Sequence, residues 1–186
     1  SKYHEYPDGS VVCPRCQGER SPISRRQARK LLGNPRRQIL RIVRLAHARD
    51  VIDRTLQSQS LSSFVEKMAC NDVGTYAYSK NCYYFAAREI AYQKTACYSP
   101  LDTIVIGKGN CVSKCLLLGT LLKAAHLDAR LVLVPSMKHV YVEARINALP
   151  EARADMSEWV PMDPTSRLVF SCLPIGISGR RVYVDL

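Results

Sequence analysis

One stretch, residues 107–130, constrains the fold more than any other: GKGNCVSKCLLLGTLLKAAHLDAR. Its apolar positions recur three and four residues apart, which predicts a helix with one buried face. The positions that form this face are Val112, Cys115, Leu116, Gly119, Leu122 and Ala125. Asn110 is a favoured helix-capping residue and Gly109 permits a sharp entry turn, so we expect Cys111 in the first turn of the helix.

A thiol in the first turn of a helix lies beside unpaired backbone amides and the positive end of the helix dipole. These groups favour the thiolate, which makes Cys111 a candidate nucleophile, and the same amides can bind an oxyanion. The alternative is that Cys111 is an ordinary buried cysteine at the start of a core helix, since free cysteine is often buried. The helix by itself does not distinguish the two. We expect Cys115, one turn later, to pack beneath Cys111.

Three strands are predicted after this helix. Residues 130–134 form a short run rich in branched aliphatic side chains, and residues 139–146 alternate between apolar and polar side chains as a half-buried strand does. A polar, loop-like stretch at 147–158 leads to a third strand at 159–165, in which Asp163 stands just before a proline. The sequence therefore predicts β-structure downstream of the helix.

The three segments supply the parts of a nucleophile–base–orienter triad: a thiol at a helix start, His139 at the start of one strand and Asp163 near the end of the next. The motifs G-x-C, DARLVLV, H-x-Y-V-E and W-V-P-M-D-P-T resemble, in this order, the transglutaminase-like cysteine-enzyme superfamily. The resemblance runs from about residue 83 to residue 165. It implies that Cys111 is the nucleophile, His139 the general base and Asp163 the residue that orients His139. Asn110 stands where the family usually has aspartate, and Tyr141 where it usually has tryptophan.

The fold class that we predict is α+β, with a helical N-terminal part and a transglutaminase-like (papain-like) core. In this core the nucleophile helix packs on a mainly antiparallel sheet that carries His139 and Asp163. We expect two helices, at 61–68 and 82–94, before the nucleophile, and two more strands after residue 165. No stretch approaches the ~20 apolar residues that a membrane-spanning helix needs, so we expect no membrane span.

We divide the chain into an N-terminal extension, residues 1–33, and a catalytic domain, residues 34–186. Within the extension, Cys13 and Cys16 have the C-x-x-C spacing of half a zinc site. A structural zinc site needs two further ligands, and the candidates are Cys70, Cys82, Cys97 or His4. A disulfide, or two unpaired thiols, is the alternative. We expect no cofactor for catalysis, and zinc only as a structural ion.

The net charge of +11 is unevenly placed, because eleven Lys or Arg and only two acids lie between Arg20 and Arg54. Such a segment can contact nucleic acid, an anionic membrane surface or an acidic polymer. The alternative is the solvated face of a helix at 34–56, which has an apolar stripe of its own. No aromatic residues are interleaved with the arginines, which disfavours a single-strand nucleic-acid binder.

These observations favour a cysteine hydrolase that cleaves an amide or (iso)peptide bond through a thioester intermediate. Its substrate would be a peptide, a protein or a peptide-crosslinked polymer. The alternatives are a protein-glutamine transamidase, disfavoured because the sequence has no D-x-D-x-D-G calcium loop, and a non-catalytic nucleic-acid or protein-binding module. For the oxyanion hole, the candidates are the backbone amide of Cys111 and the side chains of Tyr92 and Tyr98.

Overall fold

The computed structural model describes residues 4–5, 11–12, 23–32, 47–69, 74–95, 98–146, 158–166, 170–174 and 176–186. In this part of the chain the α-helices are α1 (Arg25–Leu32), α2 (Ala48–Leu56), α3 (Gln59–Ala69), α4 (Thr75–Tyr84), α5 (Pro100–Ile106) and α6 (Cys111–Ala124). A π-helical turn, Phe85–Glu89, continues α4, and a 3-10 turn covers Pro135–Met137.

The strands are β1 (His4–Glu5), β2 (Val11–Val12), β3 (Ala91–Tyr92), β4 (Lys108–Gly109), β5 (Ala129–Val134), β6 (His139–Ile146), β7 (Glu158–Met162) and β8 (Val182–Asp185). The main sheet has the order β7-β6-β5-β8, and all of its neighbouring strands are antiparallel. Strands β3 and β4 form a separate parallel pair. The α+β class and the mainly antiparallel sheet are confirmed.

Helix α6 is buried on every side rather than on the one face that its sequence predicts. Residues 113–122 are all buried, including Ser113, Lys114 and Thr120. The reason is that strands β5 and β6 cover one side of the helix, while α2, α3, α4 and α5 contact the others. A helix enclosed in this way needs apolar residues all around, which its leucine-rich sequence supplies.

Strand β6 has the predicted apolar face, because Val140, Val142 and Ala144 point into the main core. Its outward face is not solvent-exposed at Tyr141 and Glu143, which are both buried. Tyr141 packs there with residues of β5, and residues of the turn-rich segment 170–181 pack against that cluster. Among the described residues after 165, Leu173 and Ile177 therefore cover this face of the sheet.

Two further predictions differ from the structure. The helix expected at 82–94 begins at Thr75 and ends at Glu89, because Ile90 is already extended (φ −106°, ψ 113°) and leads into β3. After residue 165 the described residues contain one strand, β8, and it pairs with β5 rather than with the preceding strand. Hydrogen bonds to remote segments decide both points, and residue spacing does not encode them.

Helix α1 precedes the boundary predicted at residue 33 but packs on α3 and α5. Ala28 and Leu32 are part of the main core, and the Arg25 amide donates to the Glu89 carboxylate at 2.8 Å. The division of the chain at residue 33 stays a prediction. Of the basic helix expected at 34–56, the structure describes α2, in which Ile52 is buried and Arg49 and Arg54 are exposed.

Candidate active site

Cys111 is the first residue of α6, as the sequence predicts. The Asn110 side chain caps the helix, its Oδ1 accepting a hydrogen bond from the Ser113 amide at 3.0 Å. Glycine is required at position 109, because a Cβ there would approach the Ser113 Cβ to 2.8 Å. Cys111 itself is half-buried, so its sulfur lies at the end of a rigid core helix without being enclosed by it.

His139 begins β6 and Asp163 follows the last residue of β7, the antiparallel neighbour of β6. The strand pairing therefore brings the two side chains together at one end of the sheet. His139 Nε2 lies 2.9 Å from Asp163 Oδ2, with the histidine side chain 20% exposed and the aspartate side chain 1% exposed. Such a contact holds an imidazole in one orientation.

The Cys111 side chain is near enough to the His139 imidazole to interact with it, and this interaction helps to raise the pKa of the imidazole. Because Nε2 faces Asp163, the ring nitrogen that remains for the sulfur is Nδ1. The structure thus brings Cys111, His139 and Asp163 together in the order sulfur, imidazole, carboxylate.

The electrostatics of the pair favour a charged imidazole. The hydrogen bond with Asp163, followed by the hydrogen bond with Cys111, raises the pKa of His139 from 6.5 to about 9, although burial opposes the change. Burial of the Asp163 carboxyl raises its pKa, but hydrogen bonds from His139 and Thr165 outweigh burial and lower the pKa below 3.8. At neutral pH an imidazolium therefore faces a carboxylate on one side and the Cys111 sulfur on the other.

Sequence reasoning assigned no role to the groups that hold Asp163. The Thr165 amide and hydroxyl donate to Asp163 Oδ1 at 2.9 and 2.6 Å, which leaves Oδ2 for His139. The Tyr83 hydroxyl donates to the Asp163 carbonyl at 3.4 Å. The Asp-Pro-Thr tripeptide indicates this contact, because an aspartate side chain often accepts a hydrogen bond from the backbone amide two residues on.

The backbone immediately before His139 is also specialised. Lys138 has a left-handed conformation (φ 49°, ψ 41°) between the 3-10 turn and β6, which is uncommon for a residue with a side chain. Residues held in sparsely populated conformations cost about 1–3 kcal/mol each and cluster at functional sites. This turn sets the direction in which β6, and hence His139, leaves the loop.

A family profile described as the transglutaminase-like superfamily matches residues 62–164, which is more than half of the chain. The chain belongs to the transglutaminase-like superfamily. The matched range ends one residue after Asp163 and contains α6, β5, β6 and β7. Members of the superfamily are generally enzymes of a cysteine-dependent acyl-transfer or hydrolase class. Neither a search of curated proteins nor a search of solved structures found a match.

The two tyrosines considered for the superfamily's oxyanion hole lie in different surroundings. Burial, and then the charges of Cys111 and Asp163, raise the pKa of Tyr92, although 54% of the residue is exposed. Tyr98 is linked to α6 instead through its backbone amide, which donates to the Ser113 hydroxyl at 2.8 Å. Of the two, Tyr92 is the one with an electrostatic link to the site.

The three other cysteines that the structure describes differ in how far they are buried. Cys115 is fully buried, its thiol donates to the Val140 carbonyl at 3.3 Å, and burial raises its pKa well above 9.0. Cys82 is likewise a buried free thiol, and Cys172 is an exposed free thiol. A buried neutral thiol is inert, so Cys115 is a packing residue, as the sequence predicts.

The zinc prediction concerns Cys13 and Cys16, which lie outside the described residues, as do Cys70 and Cys97. Within the described ranges, no group of three His, Cys, Asp or Glu side chains could hold a metal ion. The structural zinc site therefore stays a prediction. Among the helices that the structure describes, none is long and apolar enough to cross a membrane.

Proposed function

We propose that this protein is a cysteine hydrolase that cleaves an amide or isopeptide bond, with Cys111 as nucleophile, His139 as general base and acid, and Asp163 as the orienting residue. The observation that carries the proposal is the 2.9 Å contact of His139 with Asp163, combined with the interaction of the same imidazole with Cys111 at the start of α6. An oriented imidazolium beside a thiol is typical of a nucleophilic cysteine, and a thiol that only packs in a core does not need one.

The first chemical step follows from this arrangement. The Cys111 thiolate attacks the carbonyl carbon of the amide, and the carbonyl oxygen becomes an oxyanion. The backbone amides at the start of α6, including that of Cys111, can donate to this oxygen, and the phenol of Tyr92, on which the charge of Cys111 acts, is the candidate for a second donor. The His139 imidazolium then gives its proton to the amine as the carbon–nitrogen bond breaks, which leaves a thioester on Cys111.

In the second step water attacks the thioester, and His139, now neutral, takes the proton from that water. The acid product leaves and the thiolate–imidazolium pair returns. A primary amine in place of water would give transamidation through the same thioester. The acceptor therefore decides between the two reactions, while the triad serves both.

Iodoacetamide alkylation tests whether Cys111 is an activated nucleophile. Ordinary thiols react slowly at about pH 6, because only the thiolate is nucleophilic. We expect Cys111 to be alkylated at this pH at least ~10-fold faster than Cys172, which is exposed and free in the described part of the chain. Asp163→Asn should slow the alkylation of Cys111 and leave Cys172 unaffected. Equal rates for the two cysteines at about pH 6 would exclude the proposed ion pair, and the chain would then be better described as a binding module.

A turnover assay separates hydrolysis from transamidation. Model amides and a glutamine peptide are incubated with a labelled primary amine, and both the free acid and the labelled product are measured. We expect the acid to predominate and Cys111→Ala to abolish its formation, while Cys115→Ala keeps the reaction. Amine incorporation in excess of hydrolysis would identify a transamidase instead.

The proposal extends to the partners. The substrate would be a peptide, a protein or a peptide-crosslinked polymer, because these contain the amide bonds that such a triad cleaves. The basic segment 20–54 would contact an anionic surface, since its described part exposes Arg26, Arg29 and Lys30 on α1. For the zinc prediction, metal analysis of the purified chain is sufficient, and less than about a tenth of an equivalent would dismiss it.

A further inference from the structure

Strand β3 has a free backbone edge beside the candidate active site. Among the described strands it pairs only with β4, where the Ala91 amide donates to the Gly107 carbonyl at 2.9 Å and the Gln93 amide donates to the Gly109 carbonyl at 3.0 Å. Successive residues of a strand direct their amide and carbonyl groups to opposite sides. The amide and carbonyl of Tyr92 therefore point away from β4, and no strand of the described chain lies on that side.

This free edge lies close to the nucleophile. Tyr92 is in register with Gly109, two residues before Cys111. The charges of Cys111 and Asp163 act on the Tyr92 phenol, which gives independent support for this proximity. Residues 91–95 are all exposed, so the edge is open to an incoming molecule.

The chemistry of the edge suits one kind of ligand. A donor and an acceptor on one residue, spaced as in a strand, match the amide and carbonyl of an extended peptide. Lys94 and Lys108 are exposed beside this edge, and the segments 91–95 and 107–112 contain no acidic residue. The exposed charges of these two segments are therefore complementary to a peptide with acidic side chains, and the nearby Asp163 carboxylate is paired with His139.

We propose that the main chain of Tyr92 binds an extended, acidic peptide segment of the acyl donor and so presents the scissile amide to Cys111. The peptide adds to β3 by a pair of hydrogen bonds, its carbonyl accepting from the Tyr92 amide and its amide donating to the Tyr92 carbonyl. The inference rests on the proposed hydrolysis and narrows its substrate class from any amide to an extended peptide. Tyr92 is thus assigned a binding role through its backbone, in addition to any role of its phenol.

A backbone scan of the substrate tests the assignment. The probe is an acidic peptide with a fluorogenic amide as leaving group, and each of its backbone amides is methylated in turn. We expect methylation at one position to lower kcat/KM ~10-fold, because it removes the hydrogen bond to Tyr92, while the positions on either side change less than about twofold. A scan without such a position would overturn the proposal.

Variants at residue 92 test the same contact from the side of the protein. Tyr92→Pro removes the backbone amide, and Tyr92→Phe keeps the backbone but removes the hydroxyl. We expect the ratio of kcat/KM for the peptide to that for a short amide to fall ~10-fold in Tyr92→Pro and to be retained in Tyr92→Phe. If Tyr92→Pro does not fold, as judged by alkylation of Cys111 at about pH 6, the backbone scan of the wild-type enzyme decides the question.

The failure of this inference differs from the failure of the proposed function. Turnover of short amides without turnover of any peptide would overturn the peptide edge and leave the hydrolase proposal standing. An absence of Cys111-dependent turnover with every amide would overturn both.

Discussion

The two carboxylate oxygens of Asp163 serve different partners: Oδ2 faces His139, and Oδ1 accepts two hydrogen bonds from Thr165. The carboxylate therefore cannot rotate without breaking contacts on both sides. Because the side chain is almost fully buried, each lost contact leaves a charged group without compensation from water. At this scale the orientation of His139 depends on residues that do no chemistry themselves.

Asp163→Asn should lower kcat ~10⁴-fold, because the amide cannot stabilise the imidazolium and favours the wrong ring tautomer. Thr165→Val should cost ~10-fold, since the backbone hydrogen bond to Asp163 remains. The control is Thr120→Val, which removes a buried hydroxyl of α6 that bonds the Leu116 carbonyl. Steady-state kinetics compare kcat of the three variants. Near wild-type activity of Asp163→Asn would contradict the proposed role of Asp163.

The raised pKa of His139 also predicts how stability depends on pH. A group that binds its proton more tightly in the folded protein stabilises the fold most below its unfolded pKa, here ~6.5, and loses this contribution as the pH rises through about 9. We expect the free energy of unfolding of the wild type, relative to His139→Gln, to fall between about pH 6 and about pH 9.5. Urea unfolding measures both values, and a difference that grows with pH would show that the sign is wrong.

At the scale of elements, the side chain of the buried Lys114 connects helix α6 to the segment before β3 through hydrogen bonds. Its ammonium donates to the carbonyls of Ala87 and Ile90 at 3.2 and 2.8 Å, at the end of the π-helical turn. These carbonyls have no further turn of helix to bond them, so the lysine satisfies them as a cap would. The contact ties α6 to the segment that continues into Tyr92.

Lys114→Met should lower the free energy of unfolding by about 1–3 kcal/mol, because two buried carbonyls lose their donor while the side-chain volume is retained. Lys123→Met, at the end of the same helix, is the matched control and should change it by less than about 0.5 kcal/mol. Chemical denaturation measures the two variants. A destabilisation by Lys114→Met no larger than that of the control would contradict the capping role.

A second cluster joins all four strands of the main sheet on its outer face. The Arg130 guanidinium lies 4.0 Å from the ring centre of Trp159 and 4.2 Å from that of Tyr183, and it forms an ion pair with Glu143 at 2.7 Å. Cation–π contacts are worth about 0.5–2 kcal/mol each, depending on how far they are removed from water. This stack links β7 and β8 through β5.

Arg130→Met should destabilise the fold by about 1–2 kcal/mol, because it removes both cation–π contacts and leaves the buried Glu143 without its cation. Trp159 is the only tryptophan of the chain, so its fluorescence reports directly on the loss of the stack. Arg180→Met, at an exposed position, is the control for charge removal. An unchanged emission spectrum in Arg130→Met would show that the stack does not form in solution.

At the scale of the whole molecule, the net charge of +11 governs the electrostatic attraction between the protein and anionic partners. Helix α1 exposes Arg26, Arg29 and Lys30, while its buried residues hold it against the main core. A basic surface on a rigid domain attracts anionic polymers, and this attraction weakens with salt.

Replacing Arg26, Arg29 and Lys30 together by glutamine should lower the salt concentration needed to elute the protein from heparin, an anionic polymer. Arg180→Gln with Arg181→Gln, which removes charge in front of β8, is the control and should have a smaller effect. The physical reason is that the charges of α1 form one surface that acts jointly on a polyanion. Shifts in proportion to the charges removed, three against two, would mean that net charge alone, rather than α1, governs binding.

The sequence by itself determined the local structure around Cys111 and predicted the three candidate triad residues. The capped start of α6 depends on Asn110 and Gly109, and the alternation of β6 fixes which residues face the core. Both are properties of residues that are neighbours along the chain, and their spacing records them. The resemblance in separated motifs suggested the roles that are proposed for these residues.

Only the tertiary structure decided how these parts meet. The contact of His139 with Asp163 joins residues 24 positions apart, and the pairing of β8 with β5 joins segments farther apart still. The burial of α6 on all sides and the capping by Lys114 likewise depend on which elements pack around the helix. Periodicity specifies the face that an element buries, but the partner that covers it is chosen by packing of the whole chain, and the free edge of Tyr92 became visible only there.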